Sequence, residues 1–143
     1  MKKNRGFSLL ELLIVVAIIL IIATIAIPSL LKSRQTAHEA GAVATLKTVN
    51  TAEISYSTIS GGLYGSMTDL VAAALIDSRF SGTISGYNYS IDLAANRRDY
   101  TVFAAAISTN EGRYDYYTAP DYVIRYTTIT TRAPAGLNGE PVR

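Results

Sequence analysis

The chain contains no cysteine and no tryptophan, and His38 is its one histidine. The lack of cysteine excludes disulfide bonds, thiol catalysis and thiolate metal sites. A single histidine without a second imidazole or a thiol is a poor basis for a transition-metal site, so we interpret His38 as a solvated surface residue. No phosphate-cradling glycine loop or nucleophile elbow is present either. The sequence therefore predicts no catalytic residues, no transition-metal site and no enzyme.

Positive charge is concentrated at the N-terminus. The chain has 13 Lys and Arg against 11 Asp and Glu, but Lys2, Lys3 and Arg5 lie within the first six residues. Without these three, 13 − 3 leaves 10 basic against 11 acidic residues, a formal net charge near −1. This balance argues against nucleic-acid binding as the main activity.

An apolar run from Phe7 to Leu31 follows the basic leader, and Leu12 to Ala23 contains no polar side chain. About 20 apolar residues, at ~1.5 Å rise each, cross a hydrocarbon core of ~30 Å. A removable secretory signal would have a shorter apolar stretch followed by a small-residue cleavage site. Here the one small residue beside a charge, Gly6, precedes the run. We therefore predict a membrane helix with its basic N-terminus in the cytoplasm and its C-terminal domain outside.

The residues Arg5-Gly6-Phe7-Ser8-Leu9-Leu10-Glu11 and the apolar residues after them resemble the N-terminus of type IV pilins and type II secretion pseudopilins. Precursors in that family carry a basic leader ending in Gly, then Phe-[Ser/Thr]-Leu-[Leu/Ile]-Glu and an apolar helix. The resemblance implies that a prepilin peptidase cleaves between Gly6 and Phe7 and that Phe7 is then N-methylated. Many members close a C-terminal loop with a disulfide, which this chain lacks.

The resemblance also implies a pilin-like α+β fold, in which a long N-terminal helix packs against a small antiparallel sheet. The strand patterns predict three to four strands. We divide the chain into a leader, a helix and a head domain with an extended C-terminal tail. Their bounds are 1–6 for the leader, 7–58 for the helix, with 7–31 transmembrane or filament core and 32–58 amphipathic, and 59–143 for the head.

Glu11 places a carboxylate inside the apolar run, where a charge costs about 2.5–3.5 kcal/mol on insertion scales. The resemblance implies that this carboxylate neutralises the α-amine of Phe7 on a neighbouring subunit during assembly. The alternative is that Glu11 stays hydrated near the membrane surface by snorkelling. Pro28 predicts a bend or local opening at 24–28, which either permits extension in a filament or is a harmless kink.

Beyond Pro28, helical projection separates a stripe of small residues from a larger apolar face. We expect the larger face to pack on the head domain and the stripe to allow close approach of another helix; a solvated face is the alternative. The stripe consists of Ala37, Ala40, Gly41, Ala44, Thr48, Thr51, Ala52 and Ser55, and the larger face of Ala42, Val43, Leu46 and Val49.

In the head, Ser66 and Asp69 resemble a capping box and predict a short helix over 67–76. Strands are predicted from the β-rich runs, with turns at 96–99 and 110–113. The strand runs are 87–91, 100–107, 114–118 and 122–126.

Three further features of the head concern binding. All ten tyrosines lie between Tyr56 and Tyr126, and we interpret them as cover for the sheet, with an adhesive or electron-transfer surface as the alternative. Asp115 and Asp121 could supply oxygen ligands for calcium, which some pseudopilins bind. The Thr-, Pro- and Gly-rich tail from Thr127 predicts an extended surface segment that contacts the next subunit.

The sequence thus predicts a structural subunit of a type IV pilus-like filament. Its partners are copies of itself, the prepilin peptidase and methyltransferase, and an inner-membrane assembly machinery. The subunit is expected as a single-pass inner-membrane protein that becomes an extracellular pilus, or a periplasmic pseudopilus if it serves type II secretion. A membrane-anchored periplasmic binding or catalytic domain is the alternative from another class.

Overall fold

The computed structural model describes residues 6–128 and 139–142. Helix α1 is followed by a second short helix, one turn of 3-10 helix and a sheet. The elements are α1 (Leu9–Ile59), α2 (Met67–Ala72), the 3-10 turn (Ser78–Ser81), β1 (Thr83–Ile84), β2 (Tyr87–Leu93), β3 (Tyr100–Ala106), β4 (Tyr114–Thr118), β5 (Ile124–Thr128) and β6 (Glu140–Pro141).

The α+β class is confirmed, but within the described residues the sheet has six strands where three to four were expected. All strands are antiparallel and lie in the order β1-β2-β3-β4-β5-β6. The two additional strands, β1 and β6, contain two residues each. Such short segments carry no recognisable alternation of apolar and polar residues.

The chain divides into two compact units, Met1–Ser33 and Arg34–Arg143. In the first unit, the described helical residues carry large apolar side chains that are exposed throughout. The most apolar 18-residue window of α1 has a mean hydropathy of 3.1, and none of it is buried. This segment is therefore long and apolar enough to cross a membrane.

In the second unit, α1 contributes one wall of the core. Ala42, Leu46 and Val49 are fully buried and belong to one cluster with inward-facing side chains of the sheet. On β3, alternate residues are buried, and Tyr100 and Val102 belong to the same cluster. The expectation that the larger apolar face packs on the head domain is confirmed.

Helix α2 begins as the sequence predicts. Ser66 Oγ accepts from Asp69 N at 3.2 Å, and Asp69 Oδ2 accepts from Ser66 N at 2.9 Å, which completes a capping box. The helix ends at Ala72, four residues before the predicted end. Ala74 has φ 55°, and Leu75 N donates back to Leu70 O at 3.0 Å, so a left-handed turn terminates the helix.

The predicted turns at 96–99 and 110–113 connect strands in the structure. The last predicted strand, 122–126, instead begins at Ile124, because Tyr122 has φ 60° and belongs to the preceding turn. Of the predicted tail, residues 129–138 lie outside the described residues. Glu140 and Pro141 pair with β5.

Candidate functional site

The predicted processing site lies at the start of α1. Phe7 is 79% exposed, and α1 begins two residues later, at Leu9. Apart from its chain neighbours, a Cβ added at Gly6 would have no atom of the described residues within 4 Å, and Gly6 is not in the left-handed region. The fold therefore imposes no steric requirement for glycine at position 6.

The Ser8 and Glu11 side chains both accept backbone hydrogen bonds at the start of α1. Ser8 N donates to Glu11 Oε2 at 2.9 Å, and Leu10 N donates to Ser8 Oγ at 3.3 Å. The first backbone N–H groups of a helix have no partner within it, and these side chains supply acceptors for two of them. Our sequence-based predictions missed this arrangement at Ser8, although Ser8 and Glu11 have the same three-residue spacing as Ser66 and Asp69, which identified the cap of α2.

The apolar surface that follows is continuous. Side chains such as Leu9, Ile14 and Ile25 are 81%, 50% and 74% exposed. Helix α1 continues through Pro28, which has no N–H to donate to Thr24 O; the bend or local opening at 24–28 stays a prediction. Four residues earlier, Thr24 Oγ1 donates to Ile21 O at 2.7 Å.

The four residues proposed for helix packing do not all share one environment. Ala37, Ala40 and Ala44 are exposed, as the expectation requires. Gly41 is half-buried, and a Cβ at that position would lie 3.4 Å from Ser85 Oγ. Gly41 therefore faces the turn before β2 in the head domain, and Ala52 is likewise buried in the core.

His38 is not the solvated residue we expected. Its Nδ1 lies 2.8 Å from Glu111 Oε2, and its side chain is 20% exposed. Arg34 Nη2 lies 3.1 Å from Glu111 Oε1, and Gln35 Nε2 donates to Thr109 O at 2.6 Å. Successive turns of α1 thus bind the β3–β4 connection through polar side chains, an arrangement that sequence spacing alone does not reveal.

The residue after His38, Glu39, also binds the β3–β4 connection. The carboxylate is 6% exposed and accepts from Arg113 Nη2 at 2.7 Å. Burial raises the pKa of Glu39, but the hydrogen bonds and charge of Arg113 outweigh it and lower the pKa below its usual value.

Near the C-terminal end of α1, Glu53 is fully buried. Its Oε2 accepts from Gly65 N at 2.9 Å. Burial raises the pKa of Glu53 to about 7, although the Gly65 hydrogen bond and Arg97 act in the opposite direction. The carboxyl group attaches the loop after α1 to the helix and exchanges its proton near neutral pH.

The two aspartates proposed for calcium have protein partners. Asp115 is 2% exposed, and its Oδ1 accepts from Ala106 N at 2.9 Å. Asp121 Oδ2 accepts from Arg125 Nη2 at 2.6 Å. Within residues 6–128 and 139–142, no group of three or more His, Asp or Glu residues is placed to hold a metal ion. Calcium binding at these aspartates stays an untested prediction.

Half of the tyrosines form part of the core. Tyr87, Tyr100 and Tyr117 are among the largest fully buried side chains. Tyr64 and Tyr100 meet edge to face with their ring centroids 4.5 Å apart. The interpretation that tyrosines cover the sheet therefore accounts for these positions.

Comparisons with known proteins agree on the N-terminal region and extend into the head. The family model described as the prokaryotic N-terminal methylation motif matches residues 1–27. The type IV major pilin protein PilA of Myxococcus xanthus is 48% identical over 54 residues, which is 38% of this chain and 24% of that protein. The type IV wide pilus major component PilA4 of Thermus thermophilus is 35% identical over 104 residues, 73% of this chain and 75% of that protein. No solved structure matches the chain.

Proposed function

The chain belongs to the type IV pilin family, and on that premise we propose that it is the structural subunit of a type IV pilus-like filament. The observation that carries this proposal is the exposed apolar surface of α1 with a single carboxylate near its start. Such a surface requires lipid or apolar side chains around it. Lipid surrounds it before assembly, and the helices of neighbouring subunits replace the lipid in the filament.

Glu11 gives the assembly its register. An acid in the apolar segment is costly unless it has a partner of opposite charge, and cleavage before Phe7 creates an α-amine. The Glu11 carboxylate of an incoming subunit pairs with the Phe7 amine of its neighbour. A misplaced subunit leaves both charges unpaired, so the pairing favours one axial position.

Processing by a prepilin peptidase explains the glycine at position 6. Against the described residues, glycine there is needed neither for space nor for backbone conformation, and the residue lies outside α1. N-methylation of Phe7 follows cleavage. Before assembly the subunit spans the inner membrane once, with its head domain outside, and an inner-membrane machinery adds it to the filament.

Neutralising Glu11 tests this proposal. We expect Glu11→Gln to reduce sheared filaments at least tenfold while the amount of subunit in membranes is unchanged, because the amide keeps the size but loses the charge. Asp92→Asn is the matched control, since it removes an exposed carboxylate from the head. Normal filament yield from Glu11→Gln would refute the assembly role of the charge.

The pseudopilin alternative differs in the location of the filament, which would stay in the periplasm and not extend from the cell surface. The two curated relatives are named as pilus components, which favours an extracellular pilus. Filaments at the cell surface at native expression support the pilus. Subunits confined to the periplasm, together with a secretion defect on deletion, support the pseudopilus.

A further inference from the structure

Glu11 has a partner within its own chain. Its Oε2 accepts the Ser8 N–H at 2.9 Å, while Ser8 Oγ accepts from Leu10 N at 3.3 Å. Ser8 therefore stands at the N-cap, where its side chain accepts from the second helical residue, and Glu11, the third helical residue, accepts from the N-cap N–H, which is one half of a capping box. The acid and the helix start stabilise one another before any neighbour is present.

Cleavage after Gly6 leaves this arrangement intact. The Ser8 N–H belongs to the peptide bond between Phe7 and Ser8, which the peptidase does not cut. The new α-amine is one residue before the N-cap. The carboxylate is thus held at the end of the helix where the processed chain carries its positive charge, and the helix dipole favours an anion there.

The cap occupies only part of the carboxylate. An ionised carboxylate has about four acceptor positions on its two oxygens, and Ser8 N–H uses one of them, on Oε2. No group among the described residues donates a hydrogen bond to Glu11 Oε1, and the residue is exposed. A second donor can therefore bind without displacing the first.

Building on the proposed function, we propose that Ser8 is the positioning residue for Glu11. In the unassembled subunit its N-cap turn holds the carboxylate at the start of α1, which gives the acid a hydrogen-bonded partner in the membrane. In the filament the same turn presents the remaining acceptor positions to the Phe7 amine of the next subunit. Ser8 itself does not contact that amine.

The first measurement is amide hydrogen exchange of the processed full chain, from Phe7 to Arg143, in detergent micelles by NMR. The Ser8 N–H has no intrahelical acceptor, so its protection reports the bond to Glu11. We expect Ser8 to exchange at least tenfold more slowly in the native chain than in Glu11→Leu. Glu11→Gln should retain partial protection, because the side-chain oxygen of glutamine can also accept from the Ser8 N–H.

The second measurement compares Ser8→Ala with Ser8→Thr in cells, with filament yield expressed per processed subunit so that any cleavage defect is removed from the comparison. Ser8→Ala removes the hydroxyl acceptor and should reduce filaments several-fold. Ser8→Thr retains the acceptor and should restore them to within about twofold of the native yield.

The outcomes separate this inference from the proposed function. Rapid exchange of Ser8 in the native chain, or equal yields from Ser8→Ala and the native chain, would overturn the positioning role. Either result leaves the charge requirement at Glu11 to be judged by Glu11→Gln alone. Suppose that Glu11→Gln loses filaments while its Ser8 amide stays protected. The Glu11 side chain then has two separate roles: its oxygen accepts from the Ser8 N–H, and its charge is needed for assembly.

Discussion

Arg113 donates three hydrogen bonds to the Glu39 carboxylate. Its backbone N and Nε reach Oε1 at 2.9 and 3.0 Å, and Nη2 reaches Oε2 at 2.7 Å. Glu39 lies on α1 and Arg113 just before β4, 74 residues later in the chain. The pair therefore fixes the β3–β4 connection on the helix at one position.

Removing Arg113 should destabilise the head. We expect Arg113→Ala to lower the free energy of unfolding by about 2 kcal/mol, because the Glu39 carboxylate is left buried with fewer donors. The figure is below that for a fully buried pair, since the Arg113 side chain is 53% exposed. Denaturant unfolding of the full chain in micelles, followed by near-UV circular dichroism of the tyrosines, measures it.

A double-mutant cycle provides the control. If Glu39 and Arg113 stabilise the head through one another, Glu39→Gln combined with Arg113→Ala should cost less than the sum of the two single changes. Because the pKa of Glu39 is lowered from 4.5 on folding, its contribution is present above pH 4.5 and lost as pH falls through the folded pKa. Strict additivity of the two changes would contradict the proposed coupling.

Glu53 should make stability depend on pH in the opposite sense. Its pKa is raised from 4.5 to about 7, so the contribution of protonation is complete below pH 4.5 and lost as pH rises through 7. The native chain should lose about 2–3 kcal/mol of unfolding free energy between pH 4.5 and pH 8 from this group. Glu53→Gln, which keeps an acceptor for Gly65 N, should remove most of that dependence.

The comparison requires unfolding curves of the native chain and Glu53→Gln at several pH values. Glu11→Gln is a useful control, since Glu11 lies in the other compact unit and should leave the pH profile of the head unchanged. If Glu53→Gln shows the same loss of stability between pH 4.5 and 8 as the native chain, another group is responsible.

Two faces of α1 should respond differently to substitution. Leu46 is fully buried, so Leu46→Ala should cost about 2–5 kcal/mol of head stability.

Ala44 is exposed, so Ala44→Leu should leave head stability within about 0.5 kcal/mol while reducing filament yield, because the larger side chain keeps a neighbouring helix away. Lys47→Leu, also exposed, controls for added hydrophobicity. Normal filaments from Ala44→Leu would assign this part of the stripe to solvent.

Gly6 should matter for processing but not for folding. Apart from its chain neighbours, a methyl group at this position meets no atom of the described residues within 4 Å, so Gly6→Ala should have the same unfolding curve as the native chain. We expect cleavage to fall at least tenfold, measured as the ratio of precursor to processed mass in membranes. Normal cleavage of Gly6→Ala would mean that the peptidase does not read this glycine.

The parts of the fold that could be predicted are those set by local pattern. The Ser66–Asp69 cap, the strand predicted over 100–107 and the apolar face of Leu46 each depend on residues close in sequence, and each lies in the structure where the pattern indicates. The Ser8–Glu11 hydrogen bond is equally local, but it was not predicted, because the cost of a charge in the membrane was assigned to a partner on another subunit or to hydration at the membrane surface.

The parts that could not be predicted depend on residues distant in sequence. The His38–Glu111 and Glu39–Arg113 contacts join α1 to a connection more than 70 residues later, and spacing along the helix gives no sign of them. The position of Gly41 against Ser85 is similar, because a small residue suits either a second helix or a turn of the same chain. The burial of Glu53 also follows from the loop after α1, whose path the sequence leaves open.

The central claim is that this chain is cleaved before Phe7 and assembled through the apolar helix that then begins the subunit. The most direct test is the intact mass and N-terminal sequence of the protein from sheared surface filaments and, separately, from membranes. We predict a methylated Phe7 terminus in the sheared fraction. An intact Met1, found in membranes alone, would contradict the claim and favour a membrane-anchored domain.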